Sequence, residues 1–284
     1  MPIIAAIKSK VKRIFYINSD NNYDAGQLVL SLRIGEKYFG FSVSNITTGE
    51  LLQLCWLTVD EMSELQFEEI YHTYPEIKKA YSKTVIGFDN PLAIIVPDKL
   101  YKSEYSSALL NTMYNEQSGH PVVAEPVVKW QVHTIYTVPE LLQQRIKQYF
   151  PEAIFHHGYA VGINQLKDLA IEGNLFVDFR SEDFTVLATK GSAVLLFQTF
   201  TYSNPADVIY YLLKICQEFI MDPQAVHVDI SGLIEQKSAL YKELYQYFMN
   251  VHFRNANWQL PANAEQEYPS HFFTFFNDLS LCES

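Results

Sequence analysis

The 284-residue chain is 48% hydrophobic and only 19% charged, apolar enough to fill a sizeable core, which excludes a disordered chain. Its 21 basic and 32 acidic residues leave a formal charge of −11, which opposes binding along a nucleic-acid backbone, where positive surface must displace counterions. Cys55, Cys216 and Cys282 are odd in number and far apart, so neither a disulfide framework nor a metal-ligand spacing is implied.

In chain order, an apolar run, Met1 to Ile7, precedes the basic residues Lys8, Lys10, Lys12 and Arg13, the reverse of a signal peptide. Residues 1–27 read as an N-terminal arm with a solvated basic stretch. No apolar run approaches the roughly 20 residues that span a bilayer. The expectation is a cytoplasmic chain without membrane insertion.

Alternation of apolar and polar residues predicts strands at Leu28–Ile34, Tyr38–Val43 and Leu51–Leu57, joined by turns at Gly35-Glu36-Lys37 and Thr48-Gly49. Thr58-Val59-Asp60-Glu61 fits a capping box and predicts a helix start, with a further strand at Thr84–Phe88. Pro121 to Phe150 reads as an insertion, a proline-punctuated stretch before a strand at Val132–Tyr136 and a helix from near Pro139.

The order then repeats. Strands are predicted at Leu175–Arg180, Phe184–Thr189 and Ala193–Phe200. Ser203-Asn204-Pro205 is a helix start, with Val208, Ile209, Leu212, Leu213, Cys216, Phe219 and Ile220 as its buried stripe. A strand follows at Val226–Ile230 and a helix from about Ser238. Both halves read β-β-β-α-β-α, with domains at 28–173 and 174–284. The tail Phe272 to Phe276 reads as a helix closing on the second half.

A duplicated β-β-β-α-β-α unit resembles the actin-like ATPase superfamily, the ribonuclease-H-like fold. More closely, Phe88 to Pro97, Val226 to Leu244 and Tyr268 to Phe273 are similar to an uncharacterised bacterial family assigned that fold. More distantly, the chain resembles the pilus-assembly and cell-division branches, whose members often act as scaffolds. The resemblance implies an α/β protein of two domains facing each other across a cleft, each a mixed five-stranded sheet with helices on both faces.

In active members of the superfamily, the first hairpin of each half cradles phosphate with an aspartate, one residue, then glycine, because the backbone must approach the anion and offer its N–H groups. In the first hairpin here Ser31 stands at the aspartate position and Arg33 at the glycine position, with Gly35 as a substitute if the register slips. In the second, Asp178 remains, Arg180 replaces glycine, and Ser181, Glu182 and Asp183 follow. At an effective dielectric near 20, one like-charge contact at about 4 Å costs on the order of 4 kcal/mol, comparable with the binding free energy of a millimolar ligand. The adenosine turn keeps a single glycine, Ser231-Gly232.

These positions imply degenerate phosphate and adenosine sites, no cofactor and no ATP hydrolysis in the usual manner, with Arg33 and Arg180 pairing to carboxylates. His227 and Asp229 share one strand face, and His156-His157 sits at a strand-to-helix junction; both read as polar structure rather than metal ligands. The expected role is a non-catalytic scaffold or interaction module with a protein partner. The alternative is a nucleotide-binding or phosphoryl-transfer enzyme using Asp178, Arg180 and Ser231.

Overall fold

The computed structural model describes residues 11–19, 23–114, 120–261, 264 and 267–282. Residues 1–10, with the apolar run and Lys8 and Lys10, lie outside them. The first half contains strands β1 (Lys12–Asn18), β2 (Leu28–Ile34), β3 (Tyr38–Asn45) and β4 (Glu50–Thr58), helix α1 (Glu64–Thr73), then β5 (Lys83–Phe88) and β6 (Ala93–Pro97). Helix α2 (Ser106–Tyr114), β7 (Val122–Val127), β8 (Val132–Thr137), α3 (Glu140–Tyr149), β9 (Ile154–His157) and α4 (Gly158–Asn164) follow. The second half has β10 (Asn174–Phe179), β11 (Asp183–Lys190), β12 (Ala193–Thr201), α5 (Pro205–Glu218), β13 (His227–Gly232), α6 (Ala239–Tyr247), β14 (Asn250–Phe253) and α7 (Thr274–Ser280).

The chain is an α/β protein built by duplication. One sheet runs β4-β3-β2-β5-β9 and the other β12-β11-β10-β13-β14, the same order with three antiparallel strands followed by two parallel additions. In the first half, Phe39, Phe67, Ile70, Leu142 and Ile146 form one core between sheet and helices α1 and α3. In the second, Val208, Leu212 and Cys216 of α5 and Leu244 of α6 pack on Val177, Val186 and Ile230. No helix among the described residues is long and apolar enough to cross a membrane.

Several expectations need correction. The first sheet has six strands, because residues 12–18 of the expected arm pair antiparallel with β4. Phe15 and Ile17 bury themselves against Trp56 and Phe273, so alternating apolar side chains outweigh the adjacent basic residues. The α1 cap is Ser63, whose side chain accepts from the Gln66 N–H, while Val59 and Met62 are buried before the helix begins. The stretch before β8 is itself a strand, β7, which tolerates Pro126 because it forms an edge of the three-stranded sheet β6-β8-β7. Ile220 lies beyond α5 at φ 53° and is exposed; Met221 packs inward in its place.

Helix α7 packs chiefly on the first sheet. Phe276 fills the space above Gly40, and Phe275 and Leu279 cover Gly87, so two glycines make the hollows that seat it. The Lys83 ammonium caps its end, donating to the Ser280 and Cys282 carbonyls at 3.2 and 2.6 Å. The second half holds α7 by polar contacts instead. Arg254 pairs with Asp278 at 2.6 Å, and the Asn257 N–H donates to Asn277 Oδ1 at 2.9 Å. The helix is therefore a wedge between the halves.

Candidate functional site

The two hairpin bends meet at the mouth of the cleft, and their pairing fixes which residues correspond. Ile34 pairs with Phe39, and Phe179 with Phe184, each closing four residues. In both bends the first enclosed residue donates to the last, Gly35 N–H to Tyr38 O at 3.1 Å and Arg180 N–H to Asp183 O at 2.9 Å. Arg33 is thus the counterpart of Asp178, Gly35 of Arg180 and Lys37 of Glu182. The correspondence lies two residues later than the Ser31–Asp178 match of the sequence reading. Ser31 is buried inside the sheet. Each bend keeps half of an aspartate-x-glycine pattern: Arg33-Ile34-Gly35 the glycine, Asp178-Phe179-Arg180 the aspartate.

Counterparts face one another across the cleft with opposite charge. Arg33 Nη2 donates to Asp178 Oδ2 at 2.7 Å, and Lys37 Nζ to Glu182 Oε2 at 2.7 Å. Arg33 also donates through Nε and Nη2 to Asp89 Oδ2 at 2.9 and 2.6 Å, and lies 3.8 Å from the centre of the Phe275 ring. The Tyr38 hydroxyl donates to the same Asp89 oxygen at 2.6 Å. Arg180 donates through Nε to Asp183 and holds Asp89 and Asp178 at 3.6 Å through Nη1, ion pairs without hydrogen bonds. Ser231 Oγ donates to Asp178 Oδ1 at 2.9 Å.

Burial by itself would raise the Asp89 carboxyl, but Arg33 and Arg180, with the Tyr38 hydrogen bond, outweigh it and hold the group well below the usual carboxylate range. Burial would likewise lower the Arg33 guanidinium, but Asp178 and Asp89 keep it firmly charged. Tyr38 is pushed up by burial, against the pull of Arg180.

Arg33, Asp178, Arg180 and Ser231 share one network, whereas Ser181 is exposed on the bend and outside it. Gly35 lies under the Tyr38 ring, which a Cβ there would meet at 2.2 Å. Gly232 has φ 80° and sits against the β10 backbone, where a Cβ would stand 2.1 Å from the Phe179 carbonyl oxygen. Both glycines are explained by packing.

Sequence reasoning missed Asp89, Tyr38 and Phe275. Asp89 carries one readable signal, a carboxylate placed directly after the apolar strand Thr84–Phe88. His157 is buried and caps α4, its Nδ1 accepting from the Tyr159 N–H at 3.1 Å, so Nε2 carries the proton it shares with the Asn90 carbonyl. Burial lowers its pKa. His156 pairs with Glu125 through Nδ1 at 2.6 Å.

Behind the network lies a cavity of about 400 Å³ between the open face of the second sheet and helices α4 and α7. Asp178 and Asp229 line its sheet side, Tyr159 and Gly162 its α4 side, and Asn277 and Asp278 its α7 side. Among the described residues no group of three or more acidic, cysteine or histidine side chains could hold a metal ion.

The fold has solved relatives. A Bacteroides thetaiotaomicron VPI-5482 protein with an actin-like ATPase fold and unknown function is similar at TM-score 0.77 and 18% identity, covering 93% of this chain and all of that one. The PilM–PilN type IV pilus biogenesis complex is similar at TM-score 0.55 and 13% identity, covering 89% of this chain and 97% of the other. At these identities the likeness shows the fold alone, here the actin-like ATPase fold. None of the curated proteins matches the chain. A family model described as a protein of unknown function (DUF3822) matches residues 18–251.

Proposed function

The chain belongs to that DUF3822 family, and from this premise we propose that it is a non-catalytic scaffold or protein-interaction module built on a degenerate actin-like ATPase shell. One observation carries the reading. At the two bends where active members of the superfamily cradle phosphate, the guanidinium groups of Arg33 and Arg180 are buried against Asp89, Asp178 and Asp183. An incoming phosphate would have to displace those carboxylates from their partners and then sit beside them. At an effective dielectric near 20 each such contact at about 4 Å costs on the order of 4 kcal/mol. Moreover, the first bend's glycine is roofed by Tyr38, and the second bend has none. A protein partner fits this reading, since a relative with the same fold was solved as the PilM–PilN complex. The deciding measurement is calorimetry of the whole chain with ATP and GTP in magnesium. Affinity no tighter than about millimolar is the expected result, and micromolar affinity sinks the proposal.

A second reading keeps one specific observation in its favour. Asp178, the retained aspartate, lines the cavity, so a nucleotide-binding or phosphoryl-transfer role through Asp178, Arg180 and Ser231 has an open space to use. If Asp178→Ala leaves any detected phosphatase or kinase activity unchanged, that reading fails.

A further inference from the structure

The cavity holds two polar groups whose bonding is incomplete. Asp229 makes no hydrogen bond or ion pair among the described residues, although it stands on the cavity wall and is more than half buried. Of the groups whose charge acts on Asp229, His252, Arg254 and His227, the arginine is bound to Asp278 at 2.6 Å. Arg33 is likewise engaged by Asp89 and Asp178. On the opposite wall Asn277 is 5% exposed, and its Oδ1 is occupied by the Asn257 N–H, so the two Nδ2 hydrogens are the free ones. They reach no acceptor among the described residues. An amide donor and a carboxylate left without protein partners on facing walls of one cavity are the groups a ligand would complete.

The remaining lining decides the ligand's character. Five carboxylates line the space against Arg33, Lys167 and Arg254, with His227 the one further basic side chain, a balance that disfavours an anion. Phe176, Leu187 and Phe197 provide an apolar wall. We propose that this cavity binds a small amine, its ammonium against Asp229, a neutral oxygen accepting from Asn277 Nδ2, and its carbon skeleton on the apolar wall. A cavity of this size suits a ligand of that class. The inference is independent of whether the chain is a scaffold, because it uses neither bend as a phosphate site.

The test uses the whole chain and matched probes, tyramine against 4-ethylphenol and glucosamine against glucose, by calorimetry and thermal shift at neutral pH. At least one amine should bind, with its uncharged twin at least about tenfold weaker. Asp229→Asn should abolish that preference, while an unfolding curve shows the variant folded. If neither amine binds up to about 10 mM, if the twins bind equally, or if folded Asp229→Asn keeps the preference, the proposal is overturned. Should the variant not fold, the wild-type comparison of twins decides alone.

Discussion

Arg33 is the residue on which the cleft mouth depends, since it contacts carboxylates from both halves and a ring of α7. Replacing it with methionine keeps most of the volume but strands Asp89 and Asp178 without their main partner. Breaking a buried pair on one side costs about 3–5 kcal/mol, so Arg33→Met should lower the unfolding free energy in urea by that order. Lys37→Ala provides the contrast: it removes the cross-cleft pair in which both side chains are more than half exposed, and should change stability by less than about 1 kcal/mol.

The carboxylates Asp89 and Asp229 predict opposite pH behaviour. Asp89 has a depressed folded pKa, so its stabilisation is present above the unfolded value of about 3.9 and is lost as pH falls through the lower folded value. The advantage of wild type over Asp89→Asn should shrink on acidification below about pH 4. Asp229 is raised by burial, opposed by His252, Arg254 and His227. Its contribution is present below the unfolded pKa and lost as pH rises through the raised one, so Asp229→Asn should be the more stable protein at neutral pH. Urea titrations of the three proteins across pH check both signs, and parallel curves would refute them.

Single elements draw their stability from local chemistry, which is why most were legible. Asn204 accepts from the Asp207 N–H, and Asp207 returns a bond to the Asn204 N–H, a complete capping box on α5 that the Ser-Asn-Pro triplet announces. Asn204→Ala should cost about 1 kcal/mol, read as a fall in the thermal midpoint. Gly232→Ala should be far worse, because it combines φ 80° with a Cβ 2.1 Å from a backbone oxygen; little folded protein is expected in a solubility and circular dichroism assay. The strands of both hairpins follow from alternation, and the duplicated order follows from them. Strand β1 did not, because Lys12 and Arg13 resemble a solvated run until Phe15 and Ile17 find Trp56. The partners of Arg33 were equally hidden: Asp89 is 56 residues away and Asp178 is 145, and no periodicity reports such separations. Even the counterpart of Asp178 needed the strand register, since two hairpins of unlike sequence can be slid past each other by two residues without disturbing either alternation.

Across the whole molecule, duplication explains why the charges meet as they do. In two halves facing each other, equivalent positions approach, so identical residues there would meet like with like. Here equivalent positions hold complements, Arg33 with Asp178 and Lys37 with Glu182, joining the halves directly at the cleft mouth. Helix α7 reinforces the joint from behind, with Phe275 on Arg33 and Gly87, and Asp278 on Arg254. The halves should therefore open only when α7 leaves its seat. Phe275→Ala removes the ring that covers Arg33, and a buried Phe-to-Ala change costs about 3 kcal/mol or more. If α7 is the fastening, that cost appears locally. Hydrogen exchange should quicken in 274–282 and in the two bends, while α5, within the second half's own core, keeps its protection. Uniform acceleration across both cores would show one cooperative block instead, and unchanged exchange in 274–282 would show that the wedge is not what holds the halves together.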